Sequence, residues 1–164
     1  MSGSLFIKNS ARAFPIDTRQ LRWLTRELLR DLLWIEDFDL GIYIVRAPKM
    51  AEINQTYLQH RGSTDVITFD YSDPEIRKLP GAPEIHGELF ICIDDAIAQA
   101  RQFRATWQSE LARYVIHGIL HLRGFDDLNP VARRKMKREE DRLLREIARR
   151  FPLRKLGRKP TVRA

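Results

Sequence analysis

Residues 87–103 read GELFICIDDAIAQARQF, and the period of their apolar residues changes partway along. Leu89, Ile91 and Ile93 alternate with their neighbours, as in a strand that turns one face to a core, whereas from Asp94 to about Phe103 the pattern is helical. Upstream, DLGIYIVRA (residues 39–47) sets Leu40, Ile42 and Ile44 to one side, a second strand pattern. Pro48 then opens a short helix carrying Met50, Ile53 and Tyr57 on one stripe, which ends near Gly62. DVITFDY (65–71) is β-branched and aromatic and reads as a further strand. Residues 72–85 hold three prolines and a glycine with no clear period, which predicts a surface excursion.

Helices account for most of the remainder. Residues 15–34 place Leu21, Leu24, Leu28 and Leu32 at three- and four-residue spacing, and Asp17 with Gln20 resembles a capping box. Trp23 and Trp34 fall in this segment and, like Trp107, are expected in the core or at a helix interface. A helix is predicted from about Thr106 to Leu122, stopped by Gly124. Asn129 before Pro130 is a cap followed by a first-turn proline, and opens a last helix to about Arg150 that carries Val131, Met136, Leu143, Leu144 and Ile147. The expected architecture is a small α/β (α+β) domain over residues 1–150, with one mixed sheet of three or four strands covered by four or five helices. Residues 151–164, FPLRKLGRKPTVRA, are basic and broken by Pro and Gly, which predicts a flexible tail.

Composition narrows the function classes. With 164 residues, 43% of them hydrophobic and 31% charged, the chain suits one globular domain. The apolar runs are too short to cross a bilayer, and the start MSGSLFIKNSAR lacks the features of a secretory signal, so a cytoplasmic location without membrane contact is expected. The single cysteine, Cys92, cannot form an internal disulfide, agrees with a reducing compartment, and is expected in the core of a strand. The net charge of +7 is unevenly spread: residues 129–164 hold 14 Lys/Arg against 4 Asp/Glu, while the first 128 hold 15 against 18. Such asymmetry points the C-terminal end toward a polyanion, nucleic acid first, with a solvated helix face plus a basic tail as the alternative.

The chemistry is concentrated in HGILHLRGFDD, residues 117–127, which has the form H-x-x-x-H-x-x-G-x-x-D. His117 and His121 are four apart on a helix and so share a face. Gly124 permits the left-handed turn that ends the helix, and the reversed chain can return Asp127 as a third ligand. Three protein ligands leave a coordination position open, the mark of a catalytic rather than a structural zinc site. A packing role for one histidine and a turn role for Asp127 form the plainer alternative. The zinc peptidase motif H-E-x-x-H carries its base between the histidines, where this chain has Gly118, so peptidase chemistry ranks second.

The segment resembles the YbeY endoribonucleases, metal-dependent factors of ribosomal RNA maturation, whose signature is H-G-x-L-H-L-x-G-x-D-H. Two more blocks are similar in the same order. NQTYLQHRGSTDVITFDY resembles the family's N-x-x-[YF] segment running into T-D-V-[LI]-[ST]-F, and HGELFICIDDAIAQA resembles its G-[DE]-I-x-I strand and following helix. The resemblance covers about residues 40–147. It implies cleavage of RNA, a single divalent metal with zinc first, no nucleotide cofactor, and ribosomal RNA with the small ribosomal subunit or its assembly factors as partners. Two departures stand out. Asp127 occupies the place of the third family histidine, which makes the ligand set harder and more open to manganese or nickel. Leu58 occupies the place of an arginine, for which Arg61, three residues on, is the candidate substitute.

The resulting assignment gives His117, His121 and Asp127 to the metal. Arg61 would offset transition-state charge, and Glu88 is a candidate acid or base. Thr64 and Asp65 match the family block, with a turn cap as the alternative. The run RRKMKR supplies Arg133, Arg134, Lys135, Lys137 and Arg138 as phosphate contacts near the metal mouth. Two other functions stay open on the residues alone: a zinc peptidase, and a non-catalytic RNA-binding assembly factor with a structural metal.

Overall fold

The computed structural model describes residues 3–12 and 14–158. One four-stranded sheet is built from β1 (Ser4–Asn9), β2 (Phe38–Val45), β3 (Val66–Asp70) and β4 (Ile85–Cys92), in the order β1-β2-β4-β3. β1 and β4 run parallel to β2, and β3 pairs antiparallel with β4. The mixed sheet of three or four strands expected from the sequence is therefore present, its fourth strand being β1. β1 escaped because Phe6, 54% exposed, faces outward between Leu5 and Ile7 and blurs the alternation.

The helices are α1 (Thr18–Glu27), α2 (Ala47–Leu58), α3 (Pro74–Arg77), α4 (Ile93–Gln102), α5 (Trp107–Leu122) and α6 (Pro130–Arg150). The excursion at 72–85 thus contains only a single helical turn. Asp17 caps α1, its carboxylate accepting from the Arg19 and Gln20 backbone N–H groups, but the Asp17 N–H donates to Leu156 O rather than back to Gln20. At Leu28–Leu32 the helix widens into a π-helical turn, with Leu33 N–H donating to Leu28 O. The extra residue shifts the phase of the leucine stripe and the chain leaves at Trp34 with φ 59°. Trp34 is consequently 81% exposed rather than in the core, and Trp23 lies half-exposed, stacked on Phe151. Trp107 is buried as expected.

One face of the sheet carries the main core: Leu5, Leu40, Ile42, Leu89 and Ile91 meet Leu21 and Leu24 of α1, Leu111, Val115 and Ile119 of α5, and Met136, Leu143 and Ile147 of α6. The other face is covered where Val45, Ile67 and Cys92 meet Met50 and Ile53 of α2. α5 lies so close to the sheet that a Cβ on Gly118 would stand 2.6 Å from Leu89 Cδ2. The position between the two histidines therefore faces the sheet, where a base would be buried and of no use to a metal.

The boundary expected at Arg150 falls later. Phe151 and Leu156 join the core, Leu153–Leu156 forms a 3₁₀ turn, and Gly157 bridges to Ile16. Basic composition concealed two apolar anchors; residues 159–164 of the expected tail lie outside the described residues. Leu156→Ala is expected to cost about 2–5 kcal/mol in urea unfolding, as for other buried leucines. A change within about 0.5 kcal/mol, typical of surface positions, would return this segment to a loose tail.

Candidate metal centre

α5 fixes the two histidines and its C-terminus fixes their partner. Gly124, at φ 98°, adopts the conformation that lets the chain reverse, with Gly124 N–H donating to His121 O and Phe125 N–H to Leu120 O. These two bonds form a Schellman motif, which satisfies the last carbonyls of the helix. The same reversal places Phe125 O 3.1 Å from His121 Nδ1 and brings Asp127 back to the helix face.

His117 is held from the other side. Its Nδ1 lies 2.8 Å from Glu140 Oε2, a carboxylate of α6 that is only 5% exposed. Glu140 in turn accepts from Arg113 at 2.8 Å, and Arg113 also reaches Asp141 at 2.9 Å. An ionised carboxylate and a carbonyl only accept, so both Nδ1 atoms carry hydrogens, and each Nε2 presents a lone pair whenever its ring is neutral. Those two Nε2 atoms are 3.1 Å apart, and Asp127 Oδ2 is 3.9 Å from each. Two lone pairs and a carboxylate at this separation repel unless a proton or a cation lies between them. The nearest point equidistant from atoms spaced 3.1, 3.9 and 3.9 Å is about 2.1 Å from each, within the ~2.0–2.2 Å of zinc bonds to imidazole nitrogen and carboxylate oxygen. The residues present therefore fit a divalent ion. Among the described residues, His117, His121 and Asp127 are the one group of three such donors that close together.

Local electrostatics agree. Burial alone would lower the His117 pKa, but the hydrogen bond and charge of Glu140, with the charges of Asp65 and Asp127, outweigh it and leave it raised. Burial would raise the Glu140 pKa, but bonding to His117 and Arg113 holds it below the usual carboxylate value. The pattern is the carboxylate–histidine pair that orients metal ligands and increases their basicity. Sequence reading missed Glu140 and Arg113. The signal was there: Glu140 stands on the stripe formed by Met136, Leu143 and Ile147, a carboxylate where an apolar residue belongs.

The other candidates are placed as follows. Glu88 does not reach the cluster. Leu89 packs under Gly118, so its neighbour Glu88 points from the opposite face of the sheet, where Tyr71 Oη donates to Glu88 Oε1 at 2.6 Å. The acid or base role expected for it is corrected on that ground. Arg61 is exposed on the segment between α2 and β3, which the Asn54 amide ties down by donating to Gly62 O, and which ends at Asp65, whose charge acts on His117. Arg61 is therefore carried on the same short segment as Asp65. Asp65 Oδ1 accepts from the N–H of Val66, the first residue of β3, at 2.8 Å.

Arg133, Arg134, Lys135, Lys137 and Arg138 occupy the first turns of α6, directly after Asp127. Lys135 sits over the Phe125 ring at 5.7 Å, and a depression of about 270 Å³ beside the Schellman turn is lined by Arg123, Phe125, Asp126 and Lys135. Lys137 is tied to Glu140 and Asp141. A concavity of about 950 Å³ between the start of α1 and the 3₁₀ turn has none of the cluster in its lining. Here the donor atoms, and not volume, identify the site. No helix among the described residues is long and apolar enough to cross a membrane.

Comparison with known proteins agrees with this geometry. The sequence model of the family described as endoribonuclease YbeY matches residues 6–148. Relatives bearing that name include one from Salinibacter ruber, 32% identical over 144 residues, covering 87% of this chain and 91% of the relative. Another, from Parabacteroides distasonis, is 39% identical over 106 residues, covering 65% of this chain and 69% of the relative. The solution structure of TM1509 from Thermotoga maritima superposes with a TM-score of 0.65 over the whole of both chains, at 22% identity, a likeness of fold.

Proposed function

The chain belongs to the endoribonuclease YbeY family, and from that premise we propose that it is a metal-dependent endoribonuclease acting in ribosomal RNA maturation. The observation that carries the metal-dependent part is the convergence of two Nε2 atoms and one carboxylate oxygen at coordination distance from a common point. His117, His121 and Asp127 would hold one divalent ion, zinc first by its affinity for imidazole, with manganese or nickel admitted by the carboxylate. When bound, such an ion polarises a phosphoryl oxygen and makes water a competent nucleophile near neutral pH.

The chain's own residues supply the rest. Glu140 and the Phe125 carbonyl hold both imidazoles with Nε2 outward, so the donors need no reorganisation. The segment carrying Arg61 and the first turn of α6 bring cations to the side where a phosphodiester would enter, offsetting its charge. Peptide hydrolysis by the H-E-x-x-H route lacks its base, since Gly118 is closed against Leu89. A purely structural metal normally takes four protein ligands, and three are assembled here. Ribosomal RNA, with the small subunit or its assembly factors in the cytoplasm, is the substrate and setting this reading assigns.

Metal removal tests the reading. Protein stripped with chelator is expected to lose cleavage of a structured ribosomal RNA fragment by about 10³-fold or more, and to regain it with zinc or manganese added in stoichiometric amount. Cleavage that survives stripping would overturn the metal-dependent assignment, and restored cleavage of an unfolded protein instead of RNA would favour a peptidase.

A further inference from the structure

α6 carries nine Lys and Arg residues, and the structure divides them. Six are engaged: Arg133 with the Asp127 carbonyl, Lys135 with the Phe125 ring, Lys137 with Glu140 and Asp141, Arg142 with Glu139, Arg149 with Glu146, and Arg150 with Glu27. Arg134, Arg138 and Arg145 are exposed, and none forms an ion pair or hydrogen bond among the described residues. At about 100° per residue these three fall within an arc of about 40°, and span roughly 16 Å of helix. The buried positions Met136, Glu140, Leu143 and Ile147 lie on the opposite side of α6. Like charges four residues apart weaken a helix. Three residues before Arg142 and Arg149 stands a glutamate that pairs with each, whereas Lys135 stands three before Arg138, and Asp141, one turn on, bonds Arg113 and Lys137 instead.

We infer that this outward stripe is a docking face for the RNA sugar-phosphate backbone, contacting substrate beyond the strand held at the metal cluster. The inference rests on the nuclease reading and sharpens it. It replaces the general basic run with three particular guanidinium groups, whose planar forks match phosphate oxygens and which form no ion pair among the described residues. The stripe lies on the far side of α6 from His117, because Glu140, which bonds His117, belongs to the buried side. RNA bound there is a segment flanking the cut site.

Two charge-matched double variants of the full chain separate this face from mere net charge. Arg138→Gln/Arg145→Gln removes two free cations; Arg142→Gln/Arg149→Gln removes two paired ones from the same helix. Binding of a ribosomal RNA hairpin with single-stranded flanks is measured across salt concentrations, with metal-dependent cleavage followed in parallel for the wild type. The first pair is expected to reduce the slope of log affinity against log salt by about 1.4–1.8, from roughly 0.7–0.9 per lost phosphate contact. The second pair is expected to reduce it by less than half as much. Equal losses, with a wild type that binds and cuts, would overturn the docking face and leave the nuclease reading standing. A wild type that neither binds nor cuts RNA would overturn both.

Discussion

His121→Ala is expected to lower metal-dependent RNA cleavage by about 10³-fold or more, roughly 4 kcal/mol of transition-state stabilisation, while the protein remains folded. His121 is one of three donors, and its loss leaves His117 Nε2 and Asp127 Oδ2 to hold an ion between them. Two donors cannot define the geometry that three impose, so both occupancy and orientation fail together. The fold should tolerate the change. The ring is partly exposed, its one protein bond besides His117 is to the Phe125 carbonyl, and alanine is the best helix former. Metal content per chain, thermal unfolding and cleavage rate should be read from wild type and variant purified side by side, each with and without added divalent ion. Equal cleavage by both would expose a contaminating nuclease. RNA bound but uncut by either protein would move the assignment to an assembly factor whose metal is structural.

What could be read from the sequence here was local chemistry. Two histidines four apart, a glycine three residues on and an aspartate three beyond that describe a helix face, its Schellman stop and a returning carboxylate, all within 11 residues. Glu140 lies outside that range. It meets His117 across 23 residues, because α5 and α6 pack as an antiparallel pair, and only its place on an apolar stripe marked it. Glu88 failed for a related reason: period-two alternation separates residues 88 and 89 onto opposite faces, but does not say which face α5 will cover. β1 was hidden by outward-facing Phe6, and Trp34 was misplaced because one π-helical turn moves every later side chain. Strand identity survives such local noise better than side-chain direction does, so the fold class was legible when part of the site was not.

Glu140→Gln carries the sharpest consequence of the buried carboxylate, because two of its effects run in opposite directions. In the metal-free protein Glu140 raises the His117 pKa, and His117 with Arg113 lowers that of Glu140. A raised histidine pKa contributes stability that is fully present below the unfolded value near 6.5 and is lost as pH rises through the folded value. The lowered glutamate pKa contributes stability that is present above its unfolded value near 4.5 and is lost as pH falls through the folded value. A divalent ion needs His117 neutral, so metal affinity in the wild type should climb with pH until the raised histidine pKa is passed, above 6.5. Glutamine removes the largest influence that raises this pKa and leaves burial, which lowers it, against only the smaller charges of Asp65 and Asp127, so the climb should shift toward acid. At the high-pH plateau, however, the variant should bind metal about 10–100-fold more weakly, because the imidazole is less basic and less firmly oriented. Arg113 keeps Asp141 as a partner at 2.9 Å, which should limit the folding cost to about 1–3 kcal/mol. Competitive metal titrations from about pH 5.5 to 8.5 resolve both effects in one series. An acid shift together with a lower plateau is the behaviour of a carboxylate acting through His117. A uniform loss at every pH would instead mean that Glu140 only holds α5 and α6 together.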